Sequence, residues 1–112
     1  GTGKPKREFL FADDMAEACF YLMENYQAAD IGELINIGTG EEISIRDLAY
    51  LIKKVVGFNG EIVFDTTKKD GTMLKKMDVS RLEKLGWKYT TTLEQGIRET
   101  YYDFINNPDV RL

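Results

Sequence analysis

One stretch constrains this chain more than any other: INIGTGEEISIRDLAYLIKKVVG, residues 35–57. An apolar run ends at Gly38-Thr39-Gly40, and a helix with both ends written into the sequence follows. Ser44 is a preferred N-cap, because its hydroxyl can accept from a free N–H of the first turn, and Asp47 stands at the reciprocal position. Ile45, Leu48, Ala49, Ile52, Val55 and Val56 repeat at helical spacing and form one apolar face. Gly57 is placed to end the helix in the left-handed conformation. A strand, a glycine loop and a helix in this order can cradle a dinucleotide when the glycines fall at G-x-G-x-x-G. Here Gly38 and Gly40 give G-x-G, but position 43 is Ile43, and Glu41 and Glu42 put carboxylates where a phosphate would approach. The glycines are therefore read as a tight turn, and the acids as partners of the positive helix end.

The rest of the chain is less fully specified. Residues 1–7, GTGKPKR, read as a basic loop, and Glu8 to Phe11 as a short strand. Asp13 or Asp14 can cap the helix that follows. Met15, Ala18, Cys19, Leu22, Met23 and Tyr26 recur at helical spacing, which places Cys19 in a buried stripe. Residues 33–37 and 61–65 read as strands. Residues 66–77 form a polar, basic segment turned at Asp70-Gly71. Ser80 opens a short helix closed by Gly86. Thr92 and Gln95 make a second capping box, ahead of a helix carrying Leu93, Ile97, Tyr101 and Phe104. The expected class is α/β, helices with short strands, in one domain over residues 1–112.

Composition acts mainly by exclusion. The chain is 43% hydrophobic and 30% charged, enough for one core. Its formal net charge of -4, from 19 acidic and 15 basic residues, disfavours a nucleic-acid surface. No apolar run approaches the roughly 20 residues that cross a bilayer. A single cysteine forms no internal disulfide and no secretory segment is visible, so a reduced, cytoplasmic domain is expected. The absence of histidine removes the commonest general base and the commonest zinc ligand, and no metal site is expected. Cys19 then reads as a core thiol rather than a nucleophile. The first residue is not Met, which leaves open a piece of a longer protein.

Three lookalikes lead nowhere. Gly1-Thr2-Gly3-Lys4 lacks the Ser or Thr that follows the lysine of a phosphate-binding P-loop, because Pro5 stands there. Asp13 and Asp14 are adjacent and cannot face each other as an acid/base pair. Tyr50 and Lys54 have the spacing of a dehydrogenase proton relay, but no cofactor-binding strands precede them. Two basic segments remain, Lys4, Lys6 and Arg7, and Lys68, Lys69, Lys75 and Lys76. Arg7 stands out, since a guanidinium can grip phosphate with two parallel hydrogen bonds.

Four segments in order carry a resemblance: REFLFADDMAEAC (7–19), NIGTGEEISIRDLA (36–49), VVGFNGEIVFDTTKKDGTMLKKMDVSRLEKLGW (55–87) and TTLEQGIRETYYDF (91–104). Together they resemble the GDP-L-fucose synthases, a branch of the extended short-chain dehydrogenases. The pattern F-D-x-x-K-x-D-G-T-x-x-K-x-x-D, met from Phe64 to Asp78, is the part most specific to that branch. The resemblance implies the carboxyl-terminal, substrate-binding lobe of an enzyme that epimerises and reduces GDP-4-keto-6-deoxymannose to GDP-L-fucose with NADPH. The Rossmann lobe, with its cofactor fingerprint and catalytic set, would lie upstream and is absent here. This chain alone is then expected to be inactive, with no catalytic or cofactor-binding residue of its own. The implied partners are a GDP-sugar substrate, the amino-terminal Rossmann lobe of the same protein and a second copy in a full-length homodimer, with no nucleic acid and no membrane.

Carried over residue by residue, Arg7 matches an arginine that contacts the substrate diphosphate. Asp70 matches a substrate-contacting aspartate near the nucleoside, and Lys75 a lysine that helps to hold the nucleotide. The chain departs from the family at Lys69, at Met73-Leu74 and at Phe11-Ala12, where proline, Pro-Arg and His-Val are usual. These departures leave room for a different sugar nucleotide. The alternatives are the corresponding lobe of another sugar-nucleotide epimerase or dehydratase, and a free-standing, non-catalytic binding domain.

Overall fold

The computed structural model of the chain describes residues 1–107 and Asp109. Its elements run β1 (Lys6–Arg7), α1 (Ala12–Asn25), α2 (Ala28–Ile31), β2 (Ile43–Ser44), α3 (Ile45–Val56), β3 (Leu74–Lys75), α4 (Ser80–Lys84) and α5 (Leu93–Asn106). The small α/β class expected from sequence is what is found. Both ends of α3 and the start of α5 are also where the sequence puts them, whereas α2 has no counterpart in the sequence reading. Ser44 Oγ accepts from the Asp47 N–H at 3.0 Å, and Gly57 closes α3 at φ 69°, ψ 28°. Thr92 and Gln95 form the reciprocal capping box of α5.

Three two-residue strands make one sheet in the order β2-β1-β3. β1 is central. It runs antiparallel to β2, with Arg7 opposite Ile43, and parallel to β3, with Arg7 opposite Lys75. Ala18 and Leu22 of α1, Leu82 of α4 and Trp87 form the buried core, ringed by Leu10, Ile35 and Ile37 among others. Separately, α3 packs on α5.

The expected strands are differently placed. Glu8–Phe11 is not a strand, and the ladder lies two residues earlier, inside the segment read as a basic loop; β3 likewise lies inside the segment read as a polar loop. Residues 33–37 and 61–65 also lack ladder pairing. In the first, the alternation is real but reports facing, not pairing: Ile35 and Ile37 pack on the core, while Leu34 is 72% exposed. The backbone there is satisfied by side chains instead, as Arg81 Nη1 donates to Leu34 O at 2.7 Å. A period of two fixes which way side chains point; a ladder also needs a neighbouring strand.

Two expectations about α1 are corrected. Neither Asp13 nor Asp14 caps it: the N-cap is Phe11, with no side-chain bond. Asp14 is instead buried and accepts from Thr90 Oγ1, Thr91 N and Thr91 Oγ1 at 3.0–3.1 Å, tying α1 to the approach of α5. Cys19 is exposed, not a core thiol. The apolar stripe is wider than the surface available to cover it. Its inner row, Ala18 and Leu22, meets Leu82 and Trp87, while Met15, Cys19, Phe20 and Met23 face outward.

The chain also exposes more surface than its size requires. Its accessible area is 8204 Å², against about 6,300 Å² for a self-contained monomer of this length. The radius of gyration is 17.0 Å, where a compact domain of this length has about 13 Å. α3 buries none of its residues fully. Among the described residues, no helix is long and apolar enough to cross a membrane.

Candidate functional site

The glycine loop is resolved by Glu8. Its Oε1 accepts from Thr39 N at 2.6 Å and Gly40 N at 3.0 Å, and its Oε2 accepts from Met77 N at 2.9 Å. Burial pushes the Glu8 carboxyl up, but these three backbone donors, with the Thr39 hydroxyl, outweigh it and hold the group below the usual carboxylate range. The concave set of N–H groups that could have met a phosphate already holds the protein's own anion. Gly38 makes room for it, because a Cβ there would collide with Glu8 Oε1. On the rim, the Glu41 carboxylate beside Tyr89 pushes the phenol up to about 12. The reading of this loop as a structural turn is consistent with all three features. Glu8 itself was missed in the sequence. The available signal was that turn N–H groups without a phosphate still need an acceptor.

The three candidate residues gather around β1. Arg7 Nη1 donates to Lys6 O at 2.6 Å and Thr72 O at 2.7 Å, which fixes the guanidinium against the segment after the Asp70-Gly71 turn. Asp70 accepts from Thr2 N at 2.7 Å and from Thr2 Oγ1 at 2.6 Å. The Thr2 hydroxyl first, and then its N–H, hold the Asp70 carboxyl below the usual range. Arg7 and Asp70 line one cleft of about 370 Å³ together with Pro5, Ile45, Phe64 and Lys69. Phe64 carries Arg46 on its ring, 4.9 Å from the centroid. Lys75, opposite Arg7 in the ladder, lines a neighbouring cleft of about 460 Å³ with Arg7, Glu8 and Lys76. Arg7 thus belongs to both clefts, whereas Asp70 and Lys75 line different ones.

Arg7 and Lys75 are not loop residues, as read from sequence, but strand residues held in register. Of the neighbouring cations, Lys6 is spent in an ion pair with Glu42 at 2.8 Å, which raises its pKa. Lys54, the second half of the Tyr50–Lys54 lookalike, pairs with Glu94 at 3.1 Å. What the clefts offer is binding chemistry: a guanidinium and lysines suited to phosphate oxygens, a carboxylate suited to N–H and O–H donors, and an aromatic wall.

The fold places the chain in a class. It matches part of the fold of extended short-chain dehydrogenase and epimerase enzymes, and residues 1–38 match the model of the NAD dependent epimerase/dehydratase family. A GDP-L-fucose synthetase from Naegleria fowleri bound to NADP superposes with a TM-score of 0.87 at 37% identity, over 97% of this chain and 34% of that one. A GDP-mannoheptose C4 reductase from Campylobacter jejuni with NADP bound gives 0.85 at 42% identity, over 94% and 33%. GDP-L-fucose synthase 1 of Arabidopsis thaliana is 48% identical over 107 residues, 96% of this chain and 32% of the plant protein. The chain is therefore a homologue of GDP-L-fucose synthases, and it spans about a third of the length of the relatives it matches.

Proposed function

We propose that this chain is the substrate-binding lobe of a GDP-L-fucose synthase-type enzyme. That enzyme epimerises and reduces GDP-4-keto-6-deoxymannose with NADPH. The observation that carries this reading is the shared cleft of Arg7 and Asp70, bordered through Arg7 by Lys75. Arg7 would clamp the diphosphate with the guanidinium face left free by Lys6 O and Thr72 O. Lys75 would add a point charge, and Asp70 would accept from nucleoside donors, since an ionised carboxylate only accepts. The remaining part of a longer protein, the Rossmann lobe, would hold NADP and supply the catalytic groups, and this chain alone would be inactive. The excess exposed surface supports such a partner. At about 1,900 Å² it is more than one side of a standard interface, and it leaves room for a homodimer contact as well. The reaction would take place in the cytoplasm, where the lone Cys19 stays reduced.

The decisive residue is Arg7. In the full-length enzyme, Arg7→Ala should cost roughly 1.5–3 kcal/mol of sugar-nucleotide binding, the range for hydrogen bonds to charged groups. Calorimetric titration with GDP-sugar measures it. An unchanged affinity with intact circular dichroism removes Arg7 from the site and undermines the reading.

A second reading is the same lobe of an enzyme for another sugar nucleotide. It is favoured by Met73 and Leu74, exposed just before and at the start of β3, and by the similarity to a GDP-mannoheptose reductase. Assays of the full-length protein on GDP- and UDP-sugars separate the two.

A further inference from the structure

The run Gly1-Thr2-Gly3, discarded as a phosphate loop, has a different task. Thr2 reaches across the chain and meets both oxygens of Asp70, one with its N–H and one with its hydroxyl, at 2.7 and 2.6 Å. The turn that delivers Thr2 is wedged in place. Gly3 adopts φ +77°, and a Cβ there would come within 2.5 Å of Phe64 Cε1, so the backbone lies directly on that ring. Arg46, whose guanidinium lies over the Phe64 ring, donates to Thr2 O at 3.3 Å. A side chain at Gly1 would run into the Asp70 carboxylate.

Arg7 and Asp70 line the same cleft but form no ion pair among the described residues. Opposite charges in a partly water-excluded cleft attract, and paired they would leave neither group for a ligand. Each is held by other partners: Arg7 by two carbonyls, Asp70 by Thr2. We propose that the Gly1-Thr2-Gly3 turn is a positioning clasp, in which Thr2 keeps the Asp70 carboxylate apart from Arg7 so that the cleft offers a separate cation for phosphate and a separate anion for nucleoside donors. A carboxylate has about four lone-pair sites; Thr2 fills two and leaves two for a ligand. The clasp also keeps the carboxyl charged, in line with its lowered pKa. The inference rests on the reading of this cleft as a sugar-nucleotide site.

The test compares Thr2→Val, which keeps the shape and loses the hydroxyl, Thr2→Ala, which loses both, Thr2→Ser, which keeps the hydroxyl, and Asp70→Asn. GDP is titrated into the labelled chain by NMR, and the Asp70 carboxyl carbon is followed against pH. Thr2→Val and Thr2→Ala should bind GDP about three- to tenfold more weakly and raise the Asp70 titration midpoint, while Thr2→Ser stays close to the parent in both. If Asp70→Asn weakens GDP binding but neither Thr2→Val nor Thr2→Ala does, the clasp is refuted and the reading of the cleft survives. An unmoved Asp70 midpoint in Thr2→Val refutes the clasp too. If Asp70→Asn leaves GDP binding unchanged, or the chain binds no GDP at about 10 mM, tenfold above a millimolar affinity, both fall together.

Discussion

Replacing Glu8 with Gln probes the tie that joins β1, the glycine loop and the segment after β3. At neutral pH the carboxylate accepts three backbone N–H bonds. Gln keeps one carbonyl oxygen, which can still take the Thr39 and Gly40 donors, now as neutral bonds. Its amide nitrogen would face the Met77 N–H, donor against donor. One charge-assisted bond, worth about 1.5–3 kcal/mol, is lost and two others fall toward the neutral value of about 1 kcal/mol. Water reaches the Met77 end, where the bond is exposed, so a net cost of about 2 kcal/mol is expected rather than the full sum. Urea unfolding followed through Trp87, the single tryptophan and a buried one, reads it. The midpoint should fall by about 1–2 M. The pH dependence is a sharper check. Because the folded pKa of Glu8 is depressed, its stabilisation is fully present above the ordinary value of about 4.3 and is lost as pH falls through the folded pKa. The gap between the two proteins should therefore be wide at pH 7 and close in strong acid. Asp70, Asp78 and Glu94 also have lowered values, but they titrate in both proteins and cancel in the difference. Equal midpoints at pH 7, or a gap that does not narrow as the pH is lowered, would refute the reasoning.

The remaining predictions bear on the same loop and its helix. Gly38→Ala should destabilise by a similar mechanism, since its Cβ displaces Glu8, and its cost in combination with Glu8→Gln should be smaller than its cost alone, because part of the tie is already lost; additive midpoint shifts in urea would show two independent effects. Ser44→Ala should cost roughly 0.5–2 kcal/mol through loss of the α3 cap, and an unchanged denaturation midpoint would mean that the cap contributes nothing. NADPH fluorescence should not respond to the chain, because the G-x-G at Gly38 and Gly40 is closed by Glu8; saturable micromolar binding would show otherwise.

Local features were legible in the chain itself. The capped ends of α3 and α5, the left-handed close at Gly57 and the failure of the dinucleotide fingerprint at Ile43 follow from residue chemistry over a few positions, and helices satisfy their backbones locally. Arg7, Asp70 and Lys75 were named as candidates through the family resemblance. Their strand and turn positions, and the sharing of clefts through Arg7, are properties of the folded chain.

Other features depended on distant segments. Lys6–Arg7 and Leu74–Lys75 are too short and too basic to read as strands, and only each other's backbones make them so. Residues 33–37 and 61–65 alternate like strands but join no ladder among the described residues. Cys19 falls on an apolar stripe whose inner row alone is covered. Asp14 was read as a helix cap, Glu8 as part of a strand and Asp70 as a turn and substrate residue, and each is claimed by donors at least 31 residues away. By itself the sequence determined where α3 starts, stops and turns its apolar face and where α5 starts, because those choices are settled within one turn of backbone. Tertiary structure alone decided which strands pair, which face is covered and which carboxylate meets which N–H, because a hydrogen-bond ladder or a buried charge takes its meaning from whatever the fold brings beside it.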